Sequence, residues 1–205
     1  KVNKFHDYYQ LGLQEDNKMY KSYRGLLEEN PYRNVELIES ERLSLPSYIF
    51  EQEYNGNFLD SEFSLFKNLN AVAIGNMKLP QANKKYYAGL DLGRTNDYTV
   101  LTILDENKEV VKVYRDRQKS WNVIINNVVN ILKQYNNAHC FVESNSIGDV
   151  VYELIKKQYN NAYPYGTYSN KPQLVESLIV EFEQQHIIIP NKNIFPELYN
   201  ELSSF

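Results

Sequence analysis

The chain has 205 residues, of which 23% are charged and 42% hydrophobic, and its formal net charge is -4. This length suits one α/β domain with an additional segment, and the ordinary composition excludes a wholly disordered chain. The single cysteine, Cys140, excludes an internal disulfide and a thiolate zinc site, no apolar run reaches the roughly 20 residues of a membrane span, and the acidic balance restricts any nucleic-acid contact to local patches.

The first part of the chain predicts short helices. One covers residues 35–43, and a second runs from Pro46 to about residue 54. The polar stretch at residues 79–83 is typical of a linker. We therefore expect a smaller, mostly helical segment over residues 1–83 and a second domain over residues 84–205.

The second part of the chain opens with predicted strands. The near-continuous apolar run at residues 86–92 predicts a central strand that is buried on both faces. The segments at residues 98–104 and 110–114 are rich in β-branched residues and predict a hairpin. Residues 138–142 predict a further short buried strand.

Helices alternate with strands through the rest of the chain. Apolar residues recur at helical spacing from Trp121 to Tyr135. The remaining predicted elements are helices from Ser146, over residues 172–182 and from about Pro196, and strands at residues 162–165 and 187–189. Three antiparallel strands followed by α/β units predict a mixed β-sheet flanked by helices, and this order resembles that of a ribonuclease H-like domain.

Two carboxylates end predicted strands. Asp91 lies in the first apolar run, and Glu143 directly follows residues 138–142. An unpaired carboxylate in an apolar strand is costly, and two adjacent ones repel each other unless a cation joins them. Oxygen ligands favour Mg²⁺ or Mn²⁺, and two such ions about 4 Å apart can activate a water and stabilise the leaving oxygen of a phosphodiester.

Each acidic residue also has a structural interpretation. Asp91 could be held by the amides of the turn at residues 93–96, and Glu143 could cap the helix near Ser146. Asp97, just before the second strand, is either an auxiliary metal ligand or the side chain of an Asx-turn.

Several basic residues are candidates for phosphate contact. Lys171 stands at a predicted helix start, where it either meets a phosphate or is an exposed lysine on a capped helix. Arg94, in the turn after the first acidic strand, is a further predicted DNA contact. A basic patch at the end of the hairpin consists of Arg115, Arg117 and Lys119. Such a patch is more typical of a solvated sheet edge than of a DNA contact.

The two acidic motifs resemble those of a known family. Residues 89–100 (GLDLGRTNDYTV) resemble the first acidic strand and hairpin in the nuclease domain of tailed-phage terminase large subunits, and residues 141–148 (FVESNSIG) resemble its second acidic motif. Residues 171–190 are similar to the stretch that follows. Upstream, residues 45–58 resemble the end of the terminase ATPase domain, and residues 5–10 resemble a late strand of it.

This resemblance implies a function and a set of partners. Residues 84–205 would be a metal-dependent endonuclease that cuts concatemeric phage DNA by two-metal hydrolysis, with Asp91 and Glu143 as catalytic metal ligands and Asp97 as an outer one. The implied cofactor is Mg²⁺ or Mn²⁺, as two ions in a complete site. Double-stranded DNA, the ATPase domain, the small terminase subunit and the portal are the implied partners, without a membrane, in the cytoplasm of a bacterial host. Residues 1–83 would be the end of the ATPase domain and its linker.

The sequence departs from the family pattern in two respects. It has no GxxxxGK[ST] loop, since the dipeptide Gly-Lys does not occur, so we expect no ATPase activity. The family's third acidic residue is expected beyond Phe205, because Glu197 and Glu201 are typical of exposed helix charges. We therefore expect an incomplete metal site with weak or absent cleavage. The start at Lys1 also suggests a fragment, which we expect to be truncated at its C-terminus.

Two other interpretations stay open. Residues 91–96 (DLGRTN) also resemble the first phosphate motif of actin-like and heat-shock-type ATPases, but those proteins need a second Asp-x-Gly motif and a Gly-Gly loop, and the 8 glycines here include no such pair. The other interpretation is a non-catalytic docking module of a packaging motor, with the tyrosine-rich first half as its binding surface.

Overall fold

The secondary structure comes from a computed structural model, which describes residues 4–58, 65–93, 97–144, 147–166 and 170–204, without the side chains of residues 147–149. The helices are α1 Lys4–Leu13, α2 Val35–Ser44, α3 Ser47–Glu53, α4 Leu69–Val72, α5 Trp121–Gln134, α6 Ile147–Lys156, α7 Lys171–Glu183 and α8 Pro196–Ser203. The strands are β1 Tyr86–Asp91, β2 Thr99–Asp105, β3 Val110–Asp116, β4 His139–Glu143 and β5 Ala162–Tyr165. None of the described helices has the length and apolarity of a membrane span.

The five strands form one mixed sheet in the order β3-β2-β1-β4-β5. Strands β1, β2 and β3 pair antiparallel, whereas β4 runs parallel to β1 and β5 runs parallel to β4. Parallel neighbours need long crossover connections, which α5 and α6 supply. The predicted mixed sheet with flanking helices is confirmed.

The main core lies between the sheet and helices α5 and α6. Strand β1 alternates, burying Tyr86, Ala88 and Leu90 on this face. Helix α5 presents its apolar side to them, because its apolar residues recur every three or four positions. The helical residues in this core include Ile125, Val128, Leu132, Val151 and Ile155. Each such side chain contributes about 1.5–3 kcal/mol of hydrophobic free energy when fully buried.

A second core covers only part of the opposite face, over β2 and β3. Here α4, α7 and α8 pack against Val110 of β3, with Phe66, Phe182 and Ile189 buried between them. Backbone hydrogen bonds tie the segment before β1 into this layer, from the Gly75 amide to Ile189 and from the Lys78 amide to Val111. The domain boundary near residue 83 stays a prediction.

The prediction that β1 is buried on both faces is wrong, and β4, predicted as a short buried strand, is also buried on one face only. Their burial alternates, and Tyr87 and Phe141 are 43% and 46% exposed on the face away from α5. In a hydropathy pattern, exposed aromatic residues cannot be distinguished from core residues. On this face, no described helix covers the β1–β4–β5 half of the sheet, so these aromatic residues stay exposed. One half of one sheet face is therefore open.

Two further expectations are corrected. Residues 187–189 do not form a strand, because this segment makes only isolated bridges, between Glu109 and Ile188 and between Gly75 and Pro190. Residues 5–10 lie in α1 and are helical, not extended. The helices predicted from residue 35 and from Pro46 are confirmed as α2 and α3.

Candidate metal centre

Asp91 and Glu143 end two neighbouring strands. Strands β1 and β4 are parallel, and Leu90 is the register partner of Val142, so the next residue of each strand lies at the same edge of the sheet. The Asp91 and Glu143 side chains are hydrogen-bonded to each other. The structure thus brings together the two carboxylates that the sequence singled out.

These two residues belong to one row of side chains on the open face. Asp91 pairs with Val100 of β2, and Val100 pairs with Arg115 of β3. On the other side, Glu143 pairs with Tyr165 of β5. Because paired residues in neighbouring strands project to the same face, the row crosses the whole sheet from a guanidinium, through the carboxylates, to a phenol.

A cleft of about 460 Å³ opens over this row. It is lined by Gly89, Leu90, Asp91, Val100, Thr102, Phe141, Glu143, Tyr165 and Glu201. Gly89 forms the floor beneath Asp91, and a Cβ atom built on Gly89 would meet no heavy atom within 4 Å. A glycine inside a strand often marks a place where a ligand approaches the backbone closely.

The site favours the protonated form of one carboxyl. The pKa of Asp91 is raised to about 6, chiefly by burial, and further by the hydrogen bond and the charge of Glu143. The positive charge of Lys171 and the backbone amide of Leu92 act in the opposite direction. Below about pH 6 the two carboxyls share a proton, whereas above it both are ionised and repel each other unless they bind a cation.

The donor set fits a hard divalent cation. Both groups supply carboxylate oxygens, the ligands that Mg²⁺ and Mn²⁺ prefer. Within the described ranges, no three His, Cys, Asp or Glu residues gather closely enough to hold a metal ion. Asp97 lies exposed before β2 and is not drawn into such a group, so its assignment as an outer ligand stays a prediction.

The two predicted basic contacts differ in outcome. Lys171 begins α7 and is exposed, and its charge is close enough to lower the pKa of Asp91, so it lies within electrostatic range of that carboxyl. Arg94 lies outside the described residues, as do most of the turn amides considered for Asp91 and the predicted cap at Ser146.

The turn after β1 depends on a glycine that sequence reasoning did not single out. A Cβ atom on Gly93 would overlap the backbone of Asp97 and Tyr98, so the chain can return into β2 only with hydrogen at this position. The Gly93 amide also donates to Thr99 Oγ1 at 3.2 Å. The position of Gly93 directly after the acidic motif, in Asp91-Leu92-Gly93-Arg94, is the sequence signal that could have indicated this tight turn.

Glu201 is the second residue that sequence reasoning did not place. Its side chain is 67% exposed, as a helix charge should be, yet it lines the cleft and accepts a hydrogen bond from Arg115 Nη2 at 2.9 Å. Glu201 reaches Arg115 and the cleft only because α8 docks on the second core, and no local sequence pattern predicts that docking.

Below the carboxylates, the open half of the sheet carries aromatic rings. The His139 imidazole stacks between Tyr87 and Tyr163, with ring centroids 5.9 Å and 6.1 Å apart, and Phe141 contacts Tyr163 at 6.0 Å. We call these four residues the aromatic ladder. The neighbouring thiol of Cys140 faces the other way, into the main core, where burial raises its pKa to about 12.

The strand order and the carboxylate pair define a ribonuclease H-like α/β domain with a candidate metal centre at the carboxyl ends of β1 and β4. Comparison with known families agrees with this class. The chain belongs to the family described as "Terminase RNaseH-like domain", whose sequence profile matches residues 88–205.

Individual relatives come from phages. The chain is 26% identical over 176 residues to "Terminase, large subunit" of Thermus virus P23-45 and, equally, of Thermus phage G20c, covering 78% of this chain and 36% of each relative. The chain thus spans about a third of the length of these curated relatives.

Solved structures show the same fold. The large terminase nuclease of thermophilic phage G20c with bound magnesium superposes with a TM-score of 0.64 at 21% identity, over 71% of this chain and 82% of that chain. The large terminase of another thermophilic bacteriophage superposes with a TM-score of 0.65 at 15% identity, over 98% of this chain and 51% of that chain.

Proposed function

We propose that this chain is the nuclease part of a viral DNA-packaging terminase, a metal-dependent endodeoxyribonuclease that cuts concatemeric phage DNA. The observation that carries this proposal is the hydrogen-bonded pair of Asp91 and Glu143 at the ends of adjacent parallel strands, beside an open cleft. Membership of the terminase family and the likeness to nuclease structures described with bound magnesium, cobalt or zinc support it.

In this proposal the carboxylates hold the cofactor. Asp91 and Glu143 bind Mg²⁺ or Mn²⁺, as two ions in a complete site, and Asp97 acts as an outer ligand. Such ions supply Lewis-acid chemistry, which activates a water and stabilises charge on a phosphodiester. Below about pH 6 a bound cation would have to displace a proton from Asp91, and the positive charge of Lys171 favours the ionised form of that carboxyl.

DNA would enter along the open face. The bare floor at Gly89 leaves room for a sugar-phosphate strand next to the carboxylates. Lys171 and Arg94 would contact its phosphates. Such contacts give affinity without sequence readout, so we expect salt-dependent binding to double-stranded DNA with little sequence preference.

The partners follow from the same proposal. Residues 1–83 would be the end of an ATPase domain and its linker, and the complete protein would work with the small terminase subunit and the portal in the cytoplasm of a bacterial host. We expect no ATPase activity from this chain, because its sequence has no phosphate-binding GxxxxGK[ST] loop.

The test combines metal binding with plasmid nicking. Calorimetry should show Mn²⁺ binding to the wild-type chain that Asp91→Asn and Glu143→Gln abolish and Asp16→Asn, on an exposed loop, retains. Nicking of supercoiled plasmid, weak if a further acidic ligand is needed, should require Mn²⁺ or Mg²⁺ and follow the same pattern. A chain that binds no Mn²⁺, or that nicks equally well in EDTA or as Asp91→Asn, would contradict the proposal.

A second candidate function is a docking module of the packaging motor. The aromatic ladder favours it, because Tyr87, Phe141 and Tyr163 leave 39–46% of their surface open on a sheet face that proteins usually cover. A folded chain that shows no Mn²⁺ binding and no nicking would favour this function.

A further inference from the structure

Arg115 shares a row of the sheet with the candidate metal ligands. It pairs with Val100, which in turn pairs with Asp91, so the three side chains project from the same face. Adjacent strands lie about 5 Å apart, which places the Arg115 backbone roughly 10 Å from that of Asp91.

The Arg115 guanidinium is held in a defined orientation. Its central carbon lies 3.8 Å from the centroid of the Tyr98 ring, and its side chain is only 22% exposed. The Arg117 guanidinium approaches the same ring at 4.8 Å. A tyrosine that carries two guanidiniums concentrates positive charge at the end of β3 that flanks the cleft.

Glu201 connects Arg115 to the cleft, because its carboxylate accepts a hydrogen bond from Arg115 and its side chain lines the cleft. Leu198, Tyr199 and Leu202 pack on the second core, and the Tyr199 hydroxyl donates to Asn70 Oδ1 at 2.6 Å, so α8 is anchored by its other side. This docking fixes Glu201 at the cleft, together with Asp91 and Glu143. The Glu201 carboxylate is 67% exposed, and ion pairs this open to water are weak and easily exchanged.

We propose that Arg115 binds a backbone phosphate of the DNA strand that enters the cleft, and that Glu201 is its exchangeable counter-ion in the DNA-free protein. This inference rests on the proposed nuclease function and adds a positioning residue to it. A guanidinium binds phosphate in a bidentate manner, as it binds a carboxylate, so a phosphate can replace Glu201 without moving Arg115 off the Tyr98 ring. Glu201 thereby sets a threshold for DNA binding, because a phosphate must displace it.

The test measures the affinity of the whole chain for a short DNA duplex by fluorescence anisotropy, in Ca²⁺ and over a series of salt concentrations. Arg115→Gln should weaken binding several-fold and reduce the slope of log affinity against log salt by about one. Arg115→Lys should lie between, since lysine cannot bind in a bidentate manner. Glu201→Gln should tighten binding several-fold.

The double variant distinguishes exchange from general repulsion. If Glu201 acts through Arg115, then Glu201→Gln has no effect in an Arg115→Gln background. The matched control is the Arg42–Glu39 pair on α2, which has the same chemistry at 2.7 Å and lies outside the cleft, so Arg42→Gln and Glu39→Gln should leave DNA affinity unchanged. Melting curves check that each variant is folded. If Arg115→Gln does not fold, the two single variants Arg115→Lys and Glu201→Gln still test the inference.

The outcomes separate this inference from the proposed function. If the wild-type chain nicks plasmid and binds DNA, but the Arg115 and Glu201 variants behave like the controls, the inference alone is wrong. The same holds if Glu201→Gln tightens binding equally with and without Arg115. If the wild-type chain neither binds DNA nor binds Mn²⁺, the inference and the nuclease function fail together.

Discussion

The side chains of Asp91 and Glu143 are joined by a hydrogen bond that exists only while one of the two carboxyls carries a proton. A bound metal ion would take the place of that proton. H⁺ and a divalent metal therefore compete for the two carboxylates, and the pH dependence of metal binding can be predicted.

We expect the affinity for Mn²⁺ to rise steeply between pH 5 and pH 7 and to level off above. The pKa of Asp91 is about 6, so below that value each bound metal must displace a proton, whereas above it the carboxylate is already ionised. Calorimetry at pH 5, 6, 7 and 8 measures this change. An affinity that does not vary over this range would contradict the assignment of Asp91 as a ligand.

In the metal-free protein, Asp91→Asn should increase stability above pH 6. A raised folded-state pKa contributes stability that is complete below pH 4 and is lost as the pH rises through about 6, because the folded protein then holds two repelling carboxylates. The full shift corresponds to about 3 kcal/mol, which solvent in the open cleft reduces to about 1 kcal/mol.

Thermal unfolding in EDTA checks this prediction, with a Tm increase of about 2–4 °C expected at pH 7.5 and a much smaller one at pH 5. The control is Asp16→Asn, which should have no effect at either pH. A variant less stable than wild type at pH 7.5 would show that the pair is favourable without a metal.

Two glycines near the site should respond oppositely to alanine. Gly93→Ala forces a Cβ into the Asp97–Tyr98 backbone and should cost about 1–3 kcal/mol. Gly89→Ala adds a Cβ in open space and should stabilise β1 by up to about 1 kcal/mol. Urea unfolding compares the two, and equal effects would contradict the packing described for the turn after β1.

A larger residue at Gly89 should block function without unfolding the chain. Gly89→Val places a branched side chain on the cleft floor, so DNA binding and nicking should fall at least about tenfold while Mn²⁺ affinity is retained. Parallel calorimetry and nicking assays separate the two effects. Nicking at the wild-type rate would show that DNA does not pass over Gly89.

Asp105 should be the main acid-sensitive residue of the hairpin. Burial raises its pKa, but the Lys84 ammonium at 2.9 Å and the amides of Glu109 and Asn107 outweigh burial and lower it overall. A lowered pKa contributes stability above about pH 4 that is lost as the pH falls further. Asp105→Asn should therefore cost about 2–3 kcal/mol at pH 7 and progressively less as the pH falls below about 4, measured by urea unfolding. Glu39→Gln, in an exposed pair, should change nothing measurable.

Much of this architecture could be predicted from the sequence, because it depends on local patterns. The helical spacing that begins at Trp121 predicted α5, and β-branched runs predicted the hairpin of β2 and β3. The approach of Asp91 to Glu143 was also predictable, since parallel neighbours end at the same edge of a sheet.

The features that the sequence did not reveal depend on contacts between distant segments. Tyr87 and Phe141 were expected in the core, because nothing in a strand pattern tells which face a helix will cover. Glu201 meets Arg115 only because α8 docks on the second core. The isolated bridge at Ile188 likewise depends on a single distant partner, Glu109.

The crossover between β1 and β4 has a consequence for biosynthesis. A ribosome delivers Asp91 first, then β2, β3 and α5, and only afterwards β4 with Glu143. Non-local strand pairing of this kind forms late in folding, and one isolated carboxylate binds a divalent ion only weakly. The candidate metal centre is therefore assembled only after β4 has paired with β1, so the proposed nuclease would be unable to cut DNA as a nascent or half-folded chain.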